Sequence, residues 1–580
     1  MPKKWRVLPK ISQEQEKLFP ELSPIILQLL ANRGLTYQAA IESFFNFDYK
    51  KGLHDPYLFS DMKKAVEKIL SFISEKKKIV VYGDYDADGV CASVVLVKTL
   101  KELGVEVEIY IPHRDKEGYG LNKAALKHLA KEKTELIITV DCGISNFEEV
   151  LYANKLGLEI IITDHHHVPE KLPPAFAIIN PKALGEKYPF SDLAGVGVAF
   201  KLAQALISQH KKIITDDGLR LNWEGFEKWL LDLVAIGTVA DCTPLLGENR
   251  TLVKYGLTVL NKTRLIGLKE LIKVARLDRN NKIFGAEQIS FQIAPRLNAA
   301  GRINHANDAF QLLITSSADR AKRLAADLEK NNSQRQRLTE KIMAEAREKL
   351  TEKNKNKLIF ISGKNWPASI IGLVAGKFSD EFNLPAIIVS EVEGKIVGSG
   401  RSIPVFNIIE ALENLAPCFS HFGGHAQACG FALKNKKDSR EFQRKIIKLA
   451  NSSLAGLDLT PTLEIDAEIN LSEITWSFYQ EISRFAPFGL GNPPPIFLTR
   501  NLSVLSHRQV GQNGKHLKLF ISNPDEAQAN QMDGIGFNLA SQWLDKIKTG
   551  DKIDLVYQLE ANQWNGDQQL QLKVIDLKIA

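Results

Sequence analysis

Cysteine is scarce in this chain. Its 580 residues hold five, Cys91, Cys142, Cys242, Cys418 and Cys429, an odd number with no CxxC spacing among them. A disulfide framework and a thiolate-held zinc are therefore not expected, and a reducing, cytoplasmic compartment fits the composition. Long apolar runs are missing as well: no stretch reaches the ~18 uninterrupted apolar residues of a membrane-spanning helix. The opening MPKKWRVLPKISQEQEK carries charge but no apolar centre, so neither a secretory signal nor a membrane role is expected. Neither sign of charge dominates. Lys and Arg number 75 against 68 Asp and Glu, a formal +7 with a pI near 8.8. This mildly basic balance suits a polyanionic partner without requiring one. No internal repeat or low-complexity tract is evident.

What is present is an ordinary globular composition, 44% hydrophobic and 25% charged, enough for several buried cores. The length corresponds to about four domains. Residues 1–50 read as a polar lead-in with short helices, a small packing lid ending in Phe44, Phe45 and Phe47. From about residue 60, short β-branched runs alternate with helical segments: KIVVYG, VEIYIP, LIITV, LEIIIT and AFAIIN. Strands apolar on both faces and separated by helices predict a doubly wound parallel α/β domain. Residues 306–352 hold no Pro or Gly and are rich in helix formers, which predicts one or two long helices bridging two lobes. A second α/β unit follows, with KLIFISG, AIIVSE, KIVGSGR and ACGFALK as strands. Beyond about 460, dense short alternating runs predict a small β-barrel.

Four segments place Asp or His directly after an apolar element: Asp84-Tyr85-Asp86-Ala87-Asp88-Gly89, Asp141-Cys142-Gly143, Asp164-His165-His166 and Asp241-Cys242-Thr243-Pro244. In an open parallel sheet, ligands bind at the carboxyl ends of the strands, so these acids gather on one edge. One such acid alone reads as a helix cap or turn residue. Four at consecutive crossovers, with a His-His pair, predict a metal site, because clustered carboxylates repel unless cations sit among them. Asp with His suits manganese or magnesium. Two such ions ~3.5–4 Å apart activate water and steady a phosphoryl transition state. The spacing of Asp86 and Asp88 allows one ligand to reach each ion.

DYDADG, VDCG, TDHHH and VADCTPL resemble the four successive motifs of the DHH phosphoesterase superfamily. The resemblance implies that Asp86, Asp88, Asp141, His165 and Asp241 bind two divalent ions, manganese or magnesium, with Asp141 between them. It implies that His166 lies beside the attacked phosphate, that Asp164 orients a histidine and that Asp84 has a supporting place. His167 is treated as structural. PHRDKEGYGLN, LAGVGVAFKLAQAL and IAPRLNAAGRI narrow the likeness to the RecJ family and assign phosphate contact to Arg114, Arg296 and Arg302, with Asn298 between the latter two. Gly195-Val196-Gly197 taken alone reads more readily as tight packing than as a nucleotide loop.

NWPASIIGLVAGK, GSGRS and FGGHAQACG resemble the DHH-associated domain, implying a substrate grip by Ser399, Arg401 and His425, with the hydroxyl of Ser402 also on offer. A structural turn at His425 is the alternative, and Trp366-Pro367-Ala368 departs from the family pattern. PFGLGNPPPIF resembles the junction into an oligonucleotide-binding (OB) barrel, in which His507, Arg508, Lys515, His516, Lys518, Phe520, Phe537, Trp543, Tyr557 and Trp564 mix charge with rings as single-strand binding does, although most rings are core by default.

The expected architecture is α/β: a lead-in at 1–50, a doubly wound DHH catalytic domain at 51–255, a linker with a long helix at 256–355, a DHH-associated domain at 356–458 and an OB-like barrel at 459–580. The resemblance implies a metal-dependent exonuclease that digests single-stranded DNA from its 5′ end to 5′-mononucleotides in repair and recombination. A helicase and a single-strand-binding protein are the candidate partners. The alternative is a DHH phosphodiesterase for short oligonucleotides or cyclic dinucleotides, which generally lack the barrel.

Overall fold

The structure is a computed structural model and describes residues 3–213, 222–278, 284–350, 356–523, 531–564 and 567–580. Its catalytic sheet has five parallel strands in the spatial order Val107–Tyr110, Ile79–Tyr82, Leu136–Val140, Glu159–Thr163, Ala177–Ile179. Every side chain of Ile79–Tyr82 and Leu136–Val140 is buried. Alternation sends them into two cores. Ile79, Val81 and Ile138 join one with helices Ala87–Glu102 and Gly195–Ile213, while Val80, Tyr82 and Ile137 join the other with helices Lys123–Lys131 and Phe147–Lys155. Full burial of one such side chain stabilises by roughly 1.5–3 kcal/mol, which is why these runs read as continuously apolar. The chain enters at Ile79–Tyr82, steps to one side, then crosses back to Leu136–Val140 on the other. That reversal opens a crevice above the carboxyl ends of the two strands.

The bridging element is one helix, Ala318–Glu348, of 31 residues and therefore about 46 Å long. Ser317 caps it by accepting from the amide of Arg320 at 3.3 Å. Its Ala321, Ala325 and Leu328 belong to the catalytic core and its Ile342 and Ala346 to that of the second α/β unit, so a single rigid rod fixes both lobes.

The second unit carries five strands rather than the four expected, in the order Phe419–His425, Ala428–Leu433, Lys395–Arg401, Ala386–Val392, Ile359–Lys364. The additional strand is the FGGH segment, whose glycines hide its β character. It forms a hairpin with Ala428–Leu433, and His425 sits beside the turn.

In the C-terminal module, strands Phe497–Val510, His516–Ser522, Gln531–Gly536, Asp567–Ile579 and Lys552–Trp564 pair in sequence around a ring, closed by Phe497 opposite Tyr557. The lead-in belongs to this module. Lys4–Val7 pairs in parallel with Thr462–Ile465, and the Phe44 and Phe45 rings meet Phe485 edge-on at 5.6 and 5.2 Å. Four residues flanked by charge, KWRV, give no strand signal of their own; a partner far along the chain makes the strand.

Candidate metal centre

The three aspartates of the first motif leave the end of Ile79–Tyr82 with different duties. Asp86 caps the helix Ala87–Glu102, its Oδ1 accepting from the amides of Asp88 (2.9 Å) and Gly89 (3.0 Å). Asp88 accepts from the amides of Gly195 at 2.7 Å and Val196 at 3.0 Å, the first turn of a second helix. A Cβ on Gly195 would lie 2.4 Å from Asp141 Oδ1, and one on Gly237 would lie 2.6 Å from Asp88 Oδ1. The Gly-Val-Gly segment is thus neither nucleotide loop nor packing alone, since its first glycine makes room for an acid. Asn298 accepts from the amide of Ala87 at 2.7 Å and braces the same turn.

Asp141 ends its strand in a left-handed conformation, φ +61°, which costs a non-glycine residue roughly 1–2 kcal/mol and is typical of functional positions. Its amide donates to the carbonyl of Thr163 at 3.0 Å. Its Oδ1 lies 3.2 Å from His165 Nε2 and 4.0 Å from His166 Nδ1. His165 Nε2 is also 3.6 Å from Asp241 Oδ2. Asp164, fully buried, accepts from the amides of His165 (2.7 Å), His166 (3.1 Å) and Ile144 (2.9 Å) and lies 2.8 Å from His166 Nδ1. Asp164 is thus bonded to both histidines of the pair.

Two ligand sets result, Asp84 with Asp86 and Asp141, and Asp88 with His165 and Asp241; within each, the donor atoms lie within 4.8 Å of one another. Asp141 also groups with His165 and His166 and stands between the two sets. The Asp84 carboxylate faces the same space as Asp86 and Asp141.

Burial, then the charge of neighbouring aspartates, pushes the Asp84 and Asp141 carboxyls well above the usual range, Asp88 to about 7 and Asp241 to about 9. Burial drives His165 down to about 3. His166 resists burial and rises to about 9 through its hydrogen bond to Asp164. Asp84 Oδ1, Asp141 Oδ1 and both ring nitrogens of His165 are buried without a hydrogen-bond partner. Orphaned oxygens and nitrogens that cannot all ionise together are what divalent cations satisfy, and this donor set fits manganese or magnesium.

Across the crevice stand three arginines. Arg302, half-buried, donates to the carbonyl of Ser369 at 2.7 Å, and the Ser369 hydroxyl returns a bond to the Arg302 carbonyl at 2.9 Å, latching the second unit to the catalytic domain. Burial, with Arg114, Arg335 and Arg401 nearby, lowers Arg302 to about 9. Arg401 donates to Ser399 Oγ at 3.2 Å, and Arg114 lies over the Tyr85 ring at 4.8 Å. Among the described residues none of these three arginines pairs with a carboxylate, and unpaired guanidiniums held together mark an anion site. His425 faces His166 with its ring nearly parallel, centroids 6.5 Å apart.

Several expectations need correction. Arg296 is already paired: it is bound to Glu329 at 2.5 Å and to the carbonyl of Gln292 at 2.7 Å, so its charge is engaged with the long helix. The Ser402 hydroxyl is donated to the carbonyl of Phe406. His167 is exposed at the mouth of the site, 5.6 Å from His425, rather than structural. In the barrel Tyr557 is core, bonded to Thr499, and Lys518 is paired with Asp533, while Phe537 is half exposed against His516. The Trp564 side chain lies outside the described residues. Trp366, the departure from the family pattern, is buried and donates to Glu345, pinning the second unit to the long helix. Nothing in the residue types marks the Gly195 and Val196 amides, which are backbone donors, or Tyr119, whose hydroxyl is donated to a backbone carbonyl.

The loop after Asp241 touches the C-terminal module. The Leu245 amide donates to the carbonyl of Leu490 at 2.8 Å, and Arg250 donates to the carbonyl of Phe485 at 2.8 Å. No helix among the described residues is long and apolar enough to cross a membrane.

Family models for the DHH family N-terminal domain, the DHHA1 domain and the RecJ OB domain match residues 78–238, 354–452 and 465–576. The single-stranded-DNA-specific exonuclease RecJ of Bacillus subtilis is 37% identical over 574 residues, covering 98% of this chain and 70% of that one. That of Escherichia coli is 32% identical over 586 residues and 97% of each chain. The crystal structure of RecJ in complex with Mn2+ from Thermus thermophilus superposes with a TM-score of 0.81 at 26% identity, covering 100% of this chain and 80% of the other. With three domain matches in order, two relatives above 30% identity matched over nearly all of this chain and one shared fold, the chain belongs to the RecJ family.

Proposed function

We propose that this chain is a metal-dependent exonuclease that hydrolyses single-stranded DNA from a free 5′ end to 5′-mononucleotides. The observation that carries the reading is the opposition of a buried acid–imidazole cluster and an unpaired arginine trio across one crevice. Asp84, Asp86 and Asp141 would hold one cation and Asp88, His165 and Asp241 the other, with Asp141 common to both. Manganese or magnesium bound there supplies a water of lowered pKa and offsets charge gathering on the phosphate. Arg114, Arg302 and Arg401, with Ser399, grip the terminal phosphate and set which bond lies over the acids. His166, kept charged by Asp164, stands beside that bond, and His425 closes the far wall. The exposed basic and aromatic residues of the barrel, Arg508, Lys515 and Phe537, hold the strand before it enters.

A role in repair and recombination, a helicase that supplies unpaired ends and a single-strand-binding protein that presents them follow from that substrate. A reducing cytoplasm suits five free cysteines, of which Cys91, Cys142 and Cys429 are buried thiols. The test is digestion with manganese of linear single strands labelled at either end, circular single strands, blunt duplexes and dinucleotides. Label released first from the 5′ end of linear strands supports the reading; equal attack on circles or duplexes refutes it. Preference for dinucleotides would favour a small-substrate phosphodiesterase.

A further inference from the structure

The Gly-Tyr-Gly-Leu turn at 118–121 has a part that the phosphate grip does not explain. Gly118 and Gly120 both take left-handed backbone, φ +82° and +77°. A Cβ on Gly120 would lie 2.4 Å from Asn146 Oδ1. That side chain accepts from the amide of Leu121 at 3.1 Å and donates to its carbonyl at 3.3 Å. Asn146 belongs to the loop that follows Asp141. On its other side the turn is held by Tyr82, which donates to the carbonyl of Gly120 at 3.0 Å. The turn is thus fastened both to the first strand of the motif and to the Asp141 loop, and Tyr119 stands between the fastenings.

The Tyr119 hydroxyl lies 3.0 Å from the carbonyl of Asp141 and 3.0 Å from His166 Nδ1. A carbonyl only accepts, so the hydroxyl proton goes to Asp141, and the phenol oxygen is left to accept. The proton on His166 Nδ1 is then shared between that oxygen and Asp164 Oδ1. The carbonyl it binds belongs to the left-handed residue whose carboxylate groups both with Asp84 and Asp86 and with His165 and His166. The ring is 43% exposed, so it is not there to fill a core.

We propose that Tyr119 is a positioning residue for the metal centre: its hydroxyl locks the left-handed Asp141 backbone to His166 and so fixes the spacing of the shared carboxylate and the imidazole. The inference rests on the two-cation reading above. The test is titration of the full-length, metal-free protein with Mn2+, with free Mn2+ read by electron paramagnetic resonance, for the wild type and Tyr119→Phe. The variant is expected to bind Mn2+ about tenfold to a hundredfold more weakly, as loss of a supporting partner does at other metal sites. Hydrolysis should fall at low Mn2+ and recover as Mn2+ is raised, with the KM for DNA and the melting temperature of the metal-free protein unchanged. Gly120→Ala, which displaces the turn but keeps the hydroxyl, should weaken Mn2+ in the same direction. Wild-type affinity in both variants, or a loss of activity that added Mn2+ does not restore, overturns the inference and leaves the two-cation reading standing. A wild type that binds no Mn2+ sinks that reading, and the inference with it.

Discussion

The crevice and the barrel both face the proposed DNA path, and they are built in opposite ways. In the crevice the acids that brace the site are buried and held by named donors: Asp88 by two amides of a neighbouring helix, Asp164 by three amides and an imidazole. On the barrel the groups suited to DNA are exposed and loosely held, Phe537 against His516, Arg508 and Lys515 in solvent. Chemistry needs atoms placed before the substrate arrives, and the surrounding backbone supplies that placement. Capture tolerates imprecision because charge and ring faces act over a range of geometries. The difference predicts sharp losses from single changes in the crevice and graded ones from the barrel.

The largest effect should come from Asp141→Ala. Removing the carboxylate proposed to serve both cations should lower kcat on the order of a thousandfold, ~4 kcal/mol, with the fold intact by circular dichroism. A variant that kept more than about a tenth of the rate, a loss under ~1.4 kcal/mol, would break the contrast at its strongest point.

Next comes Arg401→Ala, expected to cost about 1.5–3 kcal/mol, seen as a higher KM for 5′-phosphorylated strands and a lost preference over 5′-hydroxyl ends. Arg296→Ala sharpens the comparison, because its partner is Glu329. It should shift the melting temperature and leave end preference alone.

Truncation to residues 50–459 should weaken binding of long strands about tenfold or more and flatten its salt dependence, while short oligonucleotides lose less. Both ends must go together, because the lead-in and the barrel share one core. The Leu245–Leu490 contact predicts a small residual loss on short substrates, since that loop follows Asp241. Equal losses on both lengths would mean that the barrel helps build the crevice.

The smallest effect is on stability. Asp88 and Asp241 have folded-state values raised to about 7 and about 9. Groups raised in this way bind protons more tightly folded than unfolded, so their contribution is present at low pH and fades as pH rises through those values. Without metal the melting temperature should fall as pH rises from about 4, the unfolded carboxyl value, to about 9, and saturating Mn2+ should remove the slope. A slope unaffected by Mn2+ would place the titrating groups elsewhere.

Legibility followed locality. Strands at 79–82 and 136–140 announce themselves because both faces are buried, and the acids behind them are legible because a parallel sheet presents its strand ends on one edge. The strand at Lys4–Val7 and the hairpin strand at Phe419–His425 were not, one requiring a distant partner and the other masked by glycines. Arg296 and Arg302 look alike in sequence, close together on one helix segment, and only their neighbours separate them.

The sequence by itself determined the alternation of strand and helix, the order of the domains and which acids share an edge, because these depend on period, hydrophobicity and chain direction. Tertiary structure alone decided that Asp84 faces the same space as Asp86, that Gly195 makes room for Asp141, that Tyr119 reaches both Asp141 and His166 and that Arg296 is spent on Glu329. Each depends on a close approach between segments distant in the chain or on a backbone group, and neither is encoded in the spacing of residue types along it.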